Sequence, residues 1–420
     1  MEGIYIKELE IEHVRHLKNI TIPICDKEKK HLILTGKNGS GKTSVLEAVA
    51  AFLEGTCETN NFSRYNDALN KAMQNLSYSK KKRKGTSENE VFEMQKNVEY
   101  WEDELNNIRR GIALRLNQPL DSIYASFTQS EFIVAYYKAE RVFMAEAPRH
   151  VEKVVLKEQY GISEEPRRDF IKYLLDLKMT EALAISGDKL DKAAEIQKWF
   201  TKFENLLKRI FENDSVKLFF DEETFSFAIQ MSGRELFDFN TLSSGYAAVL
   251  DIVVDLMLRM ERKTGRKFRF DFPGIVLIDE IETHLHLDLQ KKILDLLTTV
   301  FPKVQFIVST HSPFILNSRS DVVIYDLENH VLVKDGLSDV PYEGIVEGYF
   351  HVDAMSEQLR EKFDRYKELV KKEKLTDEDF REIAELELYL DEIPDYLALD
   401  VTTEYAQRKL ELEHREGKEW

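Results

Sequence analysis

The stretch "HLILTGKNGSGKTSVLEAVAAFL", His31 to Leu53, constrains the fold of this chain more than any other. A short apolar run precedes three closely spaced glycines, and Val45, Leu46, Val49 and Phe52 then recur at helical spacing. The order is strand, tight loop, helix. A strand that turns straight into a helix returns to a neighbouring parallel strand, so an α/β chain with a parallel sheet is expected. Within the loop, "GKNGSGKT" places two glycines, a lysine and a hydroxyl residue at the spacing that surrounds phosphate. Backbone amides at the helix start can cradle phosphate oxygens, Lys42 can neutralise the outer phosphates, and Thr43 can coordinate Mg²⁺. Gly36, Asn38, Gly39, Ser40, Gly41, Lys42, Thr43 and the adjoining Ser44 are therefore the nucleotide-binding candidates.

Three further stretches carry chemistry. In "GIVLIDE" an apolar run delivers Asp279 and Glu280 to a strand end. Asp279 suits Mg²⁺, and Glu280 suits the orientation or deprotonation of an attacking water, both catalytic requirements of phosphoryl transfer. "VQFIVSTHSPF" puts His311 just past another strand, where an imidazole either bonds a γ-phosphate or is a satisfied surface group. "NTLSSGYAAVL" opens a second helix on Ser243, Ser244 and Gly245, a second anion site for which the chain has no second nucleotide. The "HLH" at His284 and His286 could suggest a metal by itself, but its position after the acid pair explains it without one.

Around these motifs the chain is uneven. "YIKELEIEHV" and "LKNITIPI" alternate apolar with polar residues about "RHLK", the pattern of an antiparallel hairpin. Apolar residues then step by three and four through Phe62, Tyr65, Leu69, Ala72 and Leu76, and again through Val91, Met94, Val98, Trp101, Leu105, Ile108 and Ile112. Two heptad seams separated by a hydrophilic turn predict either a protruding helical hairpin, its second arm about 40 Å long at about 1.5 Å per residue, or a helical subdomain packed on the core. Residues 64–115 carry 11 basic against 8 acidic side chains, with "KKKRK" at 80–84. That run is where nucleic acid would be met, or it is a solvated turn. "SIYASFT" and "EFIVAYYKAERVF" read as strands, with Gln129 near a strand end. From about residue 355 the chain reads as helices, Thr376 capping one of them, and the last 80 residues hold 23 acidic against 12 basic side chains, which is −11 of the total −17. No apolar run approaches the roughly 18 residues of a membrane span, so no membrane contact and a cytoplasmic address are expected. Cys25 and Cys57 suit isolated thiols rather than a disulfide or zinc site.

Taken together the motifs resemble the ABC-type ATPase superfamily: Gly36 to Thr43 its Walker A loop, "IVLIDE" its Walker B strand, "LSSGY" its signature and "STHSP" its switch histidine. The resemblance implies a P-loop NTPase head that binds ATP and Mg²⁺ and hydrolyses ATP. It also implies a head-to-head dimer with a second copy of the chain, or a higher oligomer, in which Ser243, Ser244 and Gly245 contact the γ-phosphate held by the partner. Within the superfamily the likeness is to the SMC-like and OLD-like branch, because about 200 residues with a helical insertion separate Lys42 from Leu242. "IETHLHLDLQ" resembles the D-loop region of bacterial defence ATPases, and "HVRHLKN" the branch's N-terminal arginine motif, which makes Arg15 a nucleotide contact by resemblance. Tyr246 departs from the Gln or Glu usual after the signature glycine.

The expected organisation is a head from 1–60 and 118–340, an inserted helical hairpin at 61–117, and an acidic helical extension at 341–420. The resemblance implies an ATP-driven switch acting on an effector such as a nuclease, as in the Septu and retron-associated anti-phage ATPases. The alternative is a DNA-repair or DNA-processing ATPase acting on DNA directly. A nuclease in the chain itself lacks its parts: "GIVEGYF" resembles a Toprim glutamate strand, yet no later strand ends in paired aspartates.

Overall fold

The computed structural model describes residues 3–81, 88–141, 143, 150–345, 357–372, 374–391, 404–410 and 412. Two compact units divide the chain, Met1–Val340 and Pro341–Trp420. Strands among the described residues are β1 (Ile6–Val14), β2 (Leu17–Pro23), β3 (His31–Thr35), β4 (Ile112–Leu116), β5 (Ile133–Tyr137), β6 (Lys217–Asp221), β7 (Ser226–Gln230), β8 (Phe237–Asp238), β9 (Gly274–Ile278), β10 (Val304–Ser309), β11 (Val322–Asp326) and β12 (Val331–Val333).

The main sheet runs β12-β11-β3-β10-β9-β5. Its five strands from β11 to β5 are parallel, and β12 pairs antiparallel at one edge. Every residue of β3, β9, β10 and β11 is buried, which is why these strands read as continuous apolar runs rather than alternations. Parallel pairing puts all their carboxyl ends on one edge of the sheet. The loop after Thr35, the acids after Ile278, His311 after Ser309 and Asp326 at the end of β11 therefore meet there. The edge is stitched by backbone bonds: Thr310 N donates to Leu34 O (3.0 Å), Ile281 N to Ser309 O (3.1 Å) and Asp279 N to Tyr137 O (2.8 Å).

A smaller sheet, β2-β1-β4, covers the phosphate-loop side. Buried Gln305 locks it to β10, accepting from Ile6 N (2.7 Å) and donating to Ile6 O (3.0 Å) and Lys30 O (2.8 Å). The third sheet, β6-β7-β8, leads into the helix Ser244–Glu261. Cys25 and Cys57 are free thiols, the latter buried.

Four sequence expectations need correction. "SIYASFT" is not a strand but part of the helix Leu120–Thr128. Its buried residues Ile123 and Phe127 lie four apart, a helical rather than alternating interval, and Pro119 starts it at φ −60 and ψ 146. "EFIVAYYKAERVF" is a strand only over Ile133–Tyr137, the end member of the sheet. Gln129 follows a helix and precedes the amino end of β5, the edge opposite the site. Ile112, the last step of the second seam, lies in β4, which pairs with β1 of the head. The helix stops earlier because Arg110 (φ 49) and Gly111 (φ 78) turn left-handed.

The inserted helices Asn61–Lys81 and Glu88–Arg109 pack as an antiparallel pair, with the Tyr65 and Trp101 rings 5.4 Å apart. Their base joins the head core through Phe62 and Leu105, and the Phe62 ring packs tilted against Phe52, centroids 4.6 Å apart. Farther out Met73, Tyr78, Phe92 and Tyr100 are exposed. The pair is thus a hairpin seated on the core at one end. Residues 82–87, which hold most of "KKKRK", and 346–356, which hold most of "GIVEGYF", lie outside the described residues.

The second unit has its own core, including Phe363, Tyr366, Leu369, Ile383 and Leu390. Thr376 caps the helix Asp377–Asp391 reciprocally: its Oγ accepts from Asp379 N (3.3 Å) while Asp379 Oδ2 accepts from Thr376 N (2.9 Å). Among the described residues no helix is long and apolar enough to cross a membrane.

Candidate functional site

The phosphate loop is bent by Gly36, Gly39 and Gly41, all at positive φ (126°, 86° and 98°). At Gly36 the packing also demands glycine, since a Cβ would come 2.9 Å from Ser40 Oγ and 3.2 Å from Asp326 Oδ1. The helix Lys42–Cys57 begins directly after this bend. Lys42 is buried, and its ammonium donates to Gly36 O (2.8 Å) and Lys37 O (3.0 Å), which holds it at the centre of the loop. Burial pushes its pKa below the ordinary lysine value, opposed by the carboxylates of Glu280, Glu282, Asp279 and Asp326. Those four acids therefore lie within electrostatic reach of one cation. Asn38, Gly39 and Thr43 are exposed, while Ser40 and Ser44 are buried.

Beside the loop lies a cleft of about 450 Å³, lined by His16, Lys18, Lys37, Asn38 and His330 among others. Arg15 is at the tip of the β1-β2 turn (φ 53), exposed, and outside this lining; its neighbours His16 and Lys18 are the basic groups that border the cleft.

Past β9, Asp279 is buried and Glu280 half-buried. Ser309, fully buried at the end of β10, joins them: its Oγ donates to Asp279 Oδ1 (2.5 Å) and accepts from Glu280 N (2.7 Å). Glu280 sits at φ 45, and Thr283 Oγ donates to its carboxylate (3.3 Å). Glu282 accepts from His311 N. Burial lowers the pKa of His311, and the charge of Lys42 lowers it further, against the carboxylates of Glu282, Glu280 and Asp279. Its Nε2 is buried and has no hydrogen-bond partner among the described residues. The loop lysine, the acid pair and the histidine thus share one site.

The helix Ser244–Glu261 starts at Ser243, which has extended dihedrals and no side-chain cap bond. Ser243 and Ser244 are exposed. Gly245 is buried, and a Cβ there would come 2.9 Å from His284 O, so the residue after the serines must be this small for the helix to rest on the turn beyond the acid pair. Tyr246 packs on Phe211, ring centroids 4.5 Å apart, which occupies the side chain that departs from the usual Gln or Glu. None of Ser243, Ser244 and Gly245 lines the cleft beside the chain's own phosphate loop. His286 precedes the helix Leu287–Val300. Among the described residues no group of three or more His, Cys, Asp or Glu is arranged to hold a metal. The Thr43 hydroxyl and the Asp279 carboxylate are oxygen donors, the kind that suits Mg²⁺.

Sequence reasoning missed Ser309, Glu282, Asp326 and Arg141. Ser309 and Glu282 stand inside motifs already noted, "STH" and "IDEIETH", and those motifs were the available signal. Nothing local marks Arg141, whose guanidinium donates to the carbonyls of Asp279 (2.6 Å) and Glu280 (2.8 Å).

A glycine loop between β3 and its helix, with an acid pair after a neighbouring parallel strand, defines a P-loop nucleoside triphosphatase. Two family models match this chain, "AAA ATPase domain" over residues 4–176 and "AAA domain, putative AbiEii toxin, Type IV TA system" over residues 191–317. The Septu protein PtuA of Bacillus mycoides is 25% identical over 379 residues, 86% of this chain and 47% of that protein. The Retron Ec83 probable ATPase of Escherichia coli is 33% identical over 151 residues, 34% of this chain and 27% of that protein. The DNA replication and repair protein RecF of Rickettsia typhi is 42% identical over 55 residues, 13% of this chain and 14% of that protein. This chain spans less than half the length of these relatives. A solved SMC head bound to the C-winged helix domain of ScpA covers 80% of this chain and 98% of its own, at 15% identity and a TM-score of 0.39, too low to carry an assignment. On its motifs and its parallel sheet the chain is a P-loop ATPase that resembles the ABC-type ATPases of the SMC-like and OLD-like branch, and in sequence it is similar to Septu protein PtuA and to the Retron Ec83 probable ATPase.

Proposed function

We propose that this chain binds and hydrolyses ATP, closes head-to-head with a second copy around two nucleotides, and through that closure switches a separate effector, such as a nuclease, in the cytoplasm. One observation carries the reading. Ser243 and Ser244 are exposed at a helix start, where amides and dipole favour an anion, and neither borders the cleft beside the chain's own phosphate loop. A phosphate presented by a second head fits that surface. Gly245 rests on His284 O, so the same closure would press on the turn that follows Glu280.

In this reading the loop amides and Lys42 grip the outer phosphates; Thr43 and Asp279 are the residues that would hold Mg²⁺, whose charge would supply neutralisation of developing phosphoryl charge. Glu280 orients the attacking water and takes its proton. His311, held through its backbone N–H by Glu282, offers its Nε2 N–H to a γ-phosphate oxygen. Arg15 remains a nucleotide contact only if the β1-β2 turn moves over the cleft. The acidic C-terminal helices are given the role of docking the effector or a neighbouring copy of the chain.

The test is the native mass of Glu280→Gln protein recovered from its own host, with and without ATP and Mg²⁺. Mass doubling with nucleotide, or co-purification of a nuclease, supports the switch. A lone monomer in both conditions withdraws it.

A second reading, direct action on DNA, is favoured by the similarity to RecF and by the net basic hairpin. Duplex DNA that raises ATP turnover in the purified chain would favour it, and turnover indifferent to DNA would count against it.

A further inference from the structure

The chain leaves β5 at Tyr137 and brings Arg141 beneath the turn that follows β9. Arg141 is 4% exposed. Its Nη1 donates to Asp279 O (2.6 Å) and Lys138 O (3.0 Å), and its Nη2 donates to Glu280 O (2.8 Å) and Ile281 O (3.4 Å). One planar guanidinium therefore gathers three successive carbonyls of the turn that presents Glu280. Glu280 itself sits at φ 45, a left-handed conformation that a side chain with Cβ adopts only when its surroundings hold it there. Two devices do so: Ser309 Oγ takes the Glu280 N–H from one side, and Arg141 takes the carbonyls from the other.

The arginine needs a counter-charge at this depth, and the carboxylate with the largest attraction on it is Asp251. Asp251 is fully buried on the helix that Ser243 begins, and it is also ion-paired to Arg167 Nε at 2.5 Å.

We infer that Arg141 is a positioning residue for hydrolysis: it fixes the backbone of Glu280 so that the carboxylate meets the attacking water. The inference rests on the reading of Glu280 as the water-orienting group. It assigns Arg141 no contact with nucleotide.

The experiment is steady-state ATP turnover and nucleotide affinity of the full chain, for wild type, Glu280→Gln, Arg141→Lys and the double variant. Lysine keeps the charge opposite Asp251 but offers a point donor that cannot span three carbonyls. Arg141→Lys is expected to lower kcat about tenfold or more with KM and ATP affinity changed less than about threefold, because the interaction acts on the transition state and not on binding. In the Glu280→Gln background the same change is expected to cost nothing further, since the group it positions is already lost. Wild-type kcat in Arg141→Lys, or an equal loss in both backgrounds, would overturn the assignment. Arg141→Gln, which keeps an amide donor but cannot span three carbonyls, is the second variant should Arg141→Lys not fold. It should lower kcat several-fold at unchanged ATP affinity, and an unaltered kcat overturns the inference as well. The parent reading fails separately, and takes the inference with it, if Glu280→Gln turns over ATP like wild type.

Discussion

Replacing Ser309 by Ala tests how the acid pair is held. Ser309 Oγ is fully buried and makes two bonds at once, donating to Asp279 Oδ1 at 2.5 Å and accepting from Glu280 N at 2.7 Å. Alanine removes both and adds no volume. A hydrogen bond to a charged group contributes about 1.5–3 kcal/mol, and an amide left without a partner costs about 1–3 kcal/mol when buried; Glu280 is only half-buried, so about 3 kcal/mol in total is expected. With a urea m-value of about 3 kcal/mol/M for a unit of this size, the midpoint should fall by about 1 M. ATP turnover should fall about tenfold or more, because a general base displaced from its proton loses most of its contribution. Urea titration followed by circular dichroism, with the turnover measured alongside, makes the comparison. A midpoint within about 0.2 M of wild type, together with full turnover, would refute the claim that Ser309 holds the pair.

Lys42→Ala should abolish nucleotide binding by titration, while Glu280→Gln should bind ATP and fail to release phosphate; ordinary turnover in the second variant contradicts the role given to Glu280. Ser243→Arg should leave ATP affinity unchanged and block nucleotide-dependent dimerisation, because a cation and its bulk would fall where the partner's phosphate arrives. Light scattering that shows an unaltered dimer would move the association to another surface. Glu261 is fully buried, accepts from Trp199 Nε1 (2.8 Å) and Tyr173 OH (3.1 Å), and burial raises its pKa from 4.5 to about 7. Its folded pKa lies above the unfolded one, so its contribution is complete below about pH 4.5 and is lost as pH rises to about 7. Glu261→Gln should therefore gain on wild type by about 2–3 kcal/mol between those limits, and parallel stability curves across pH would sink the argument.

Much of the site was legible because its parts are local. The bend from β3 into the helix Lys42–Cys57 follows from three glycines and an apolar run, and the acids at 279 and 280 follow from the strand that delivers them. Thr376 could be recognised as a cap because the reciprocal bond with Asp379 spans only three residues. Where local pattern misled, it did so within short apolar segments. "SIYASFT" has strand composition, yet its buried residues are spaced four apart, and Ile112 continued a seam that Gly111 had already ended.

By itself the sequence determined the strand, loop and helix order, the loop lysine, the acid pair and the serine-led helix, since glycine conformations, apolar periodicity and helix starts are properties of neighbouring residues. Only the tertiary structure decided what those groups touch. Arg141 meets Asp279 from 138 positions away, and Ser309 meets it from 30. Gly245 rests on a carbonyl of His284, and Asp326 stands against Gly36 from the far end of β11. These contacts arise because parallel strands, distant in sequence, end on one edge of one sheet, and the register between them is set by burial of the whole sheet rather than by any residue's neighbours.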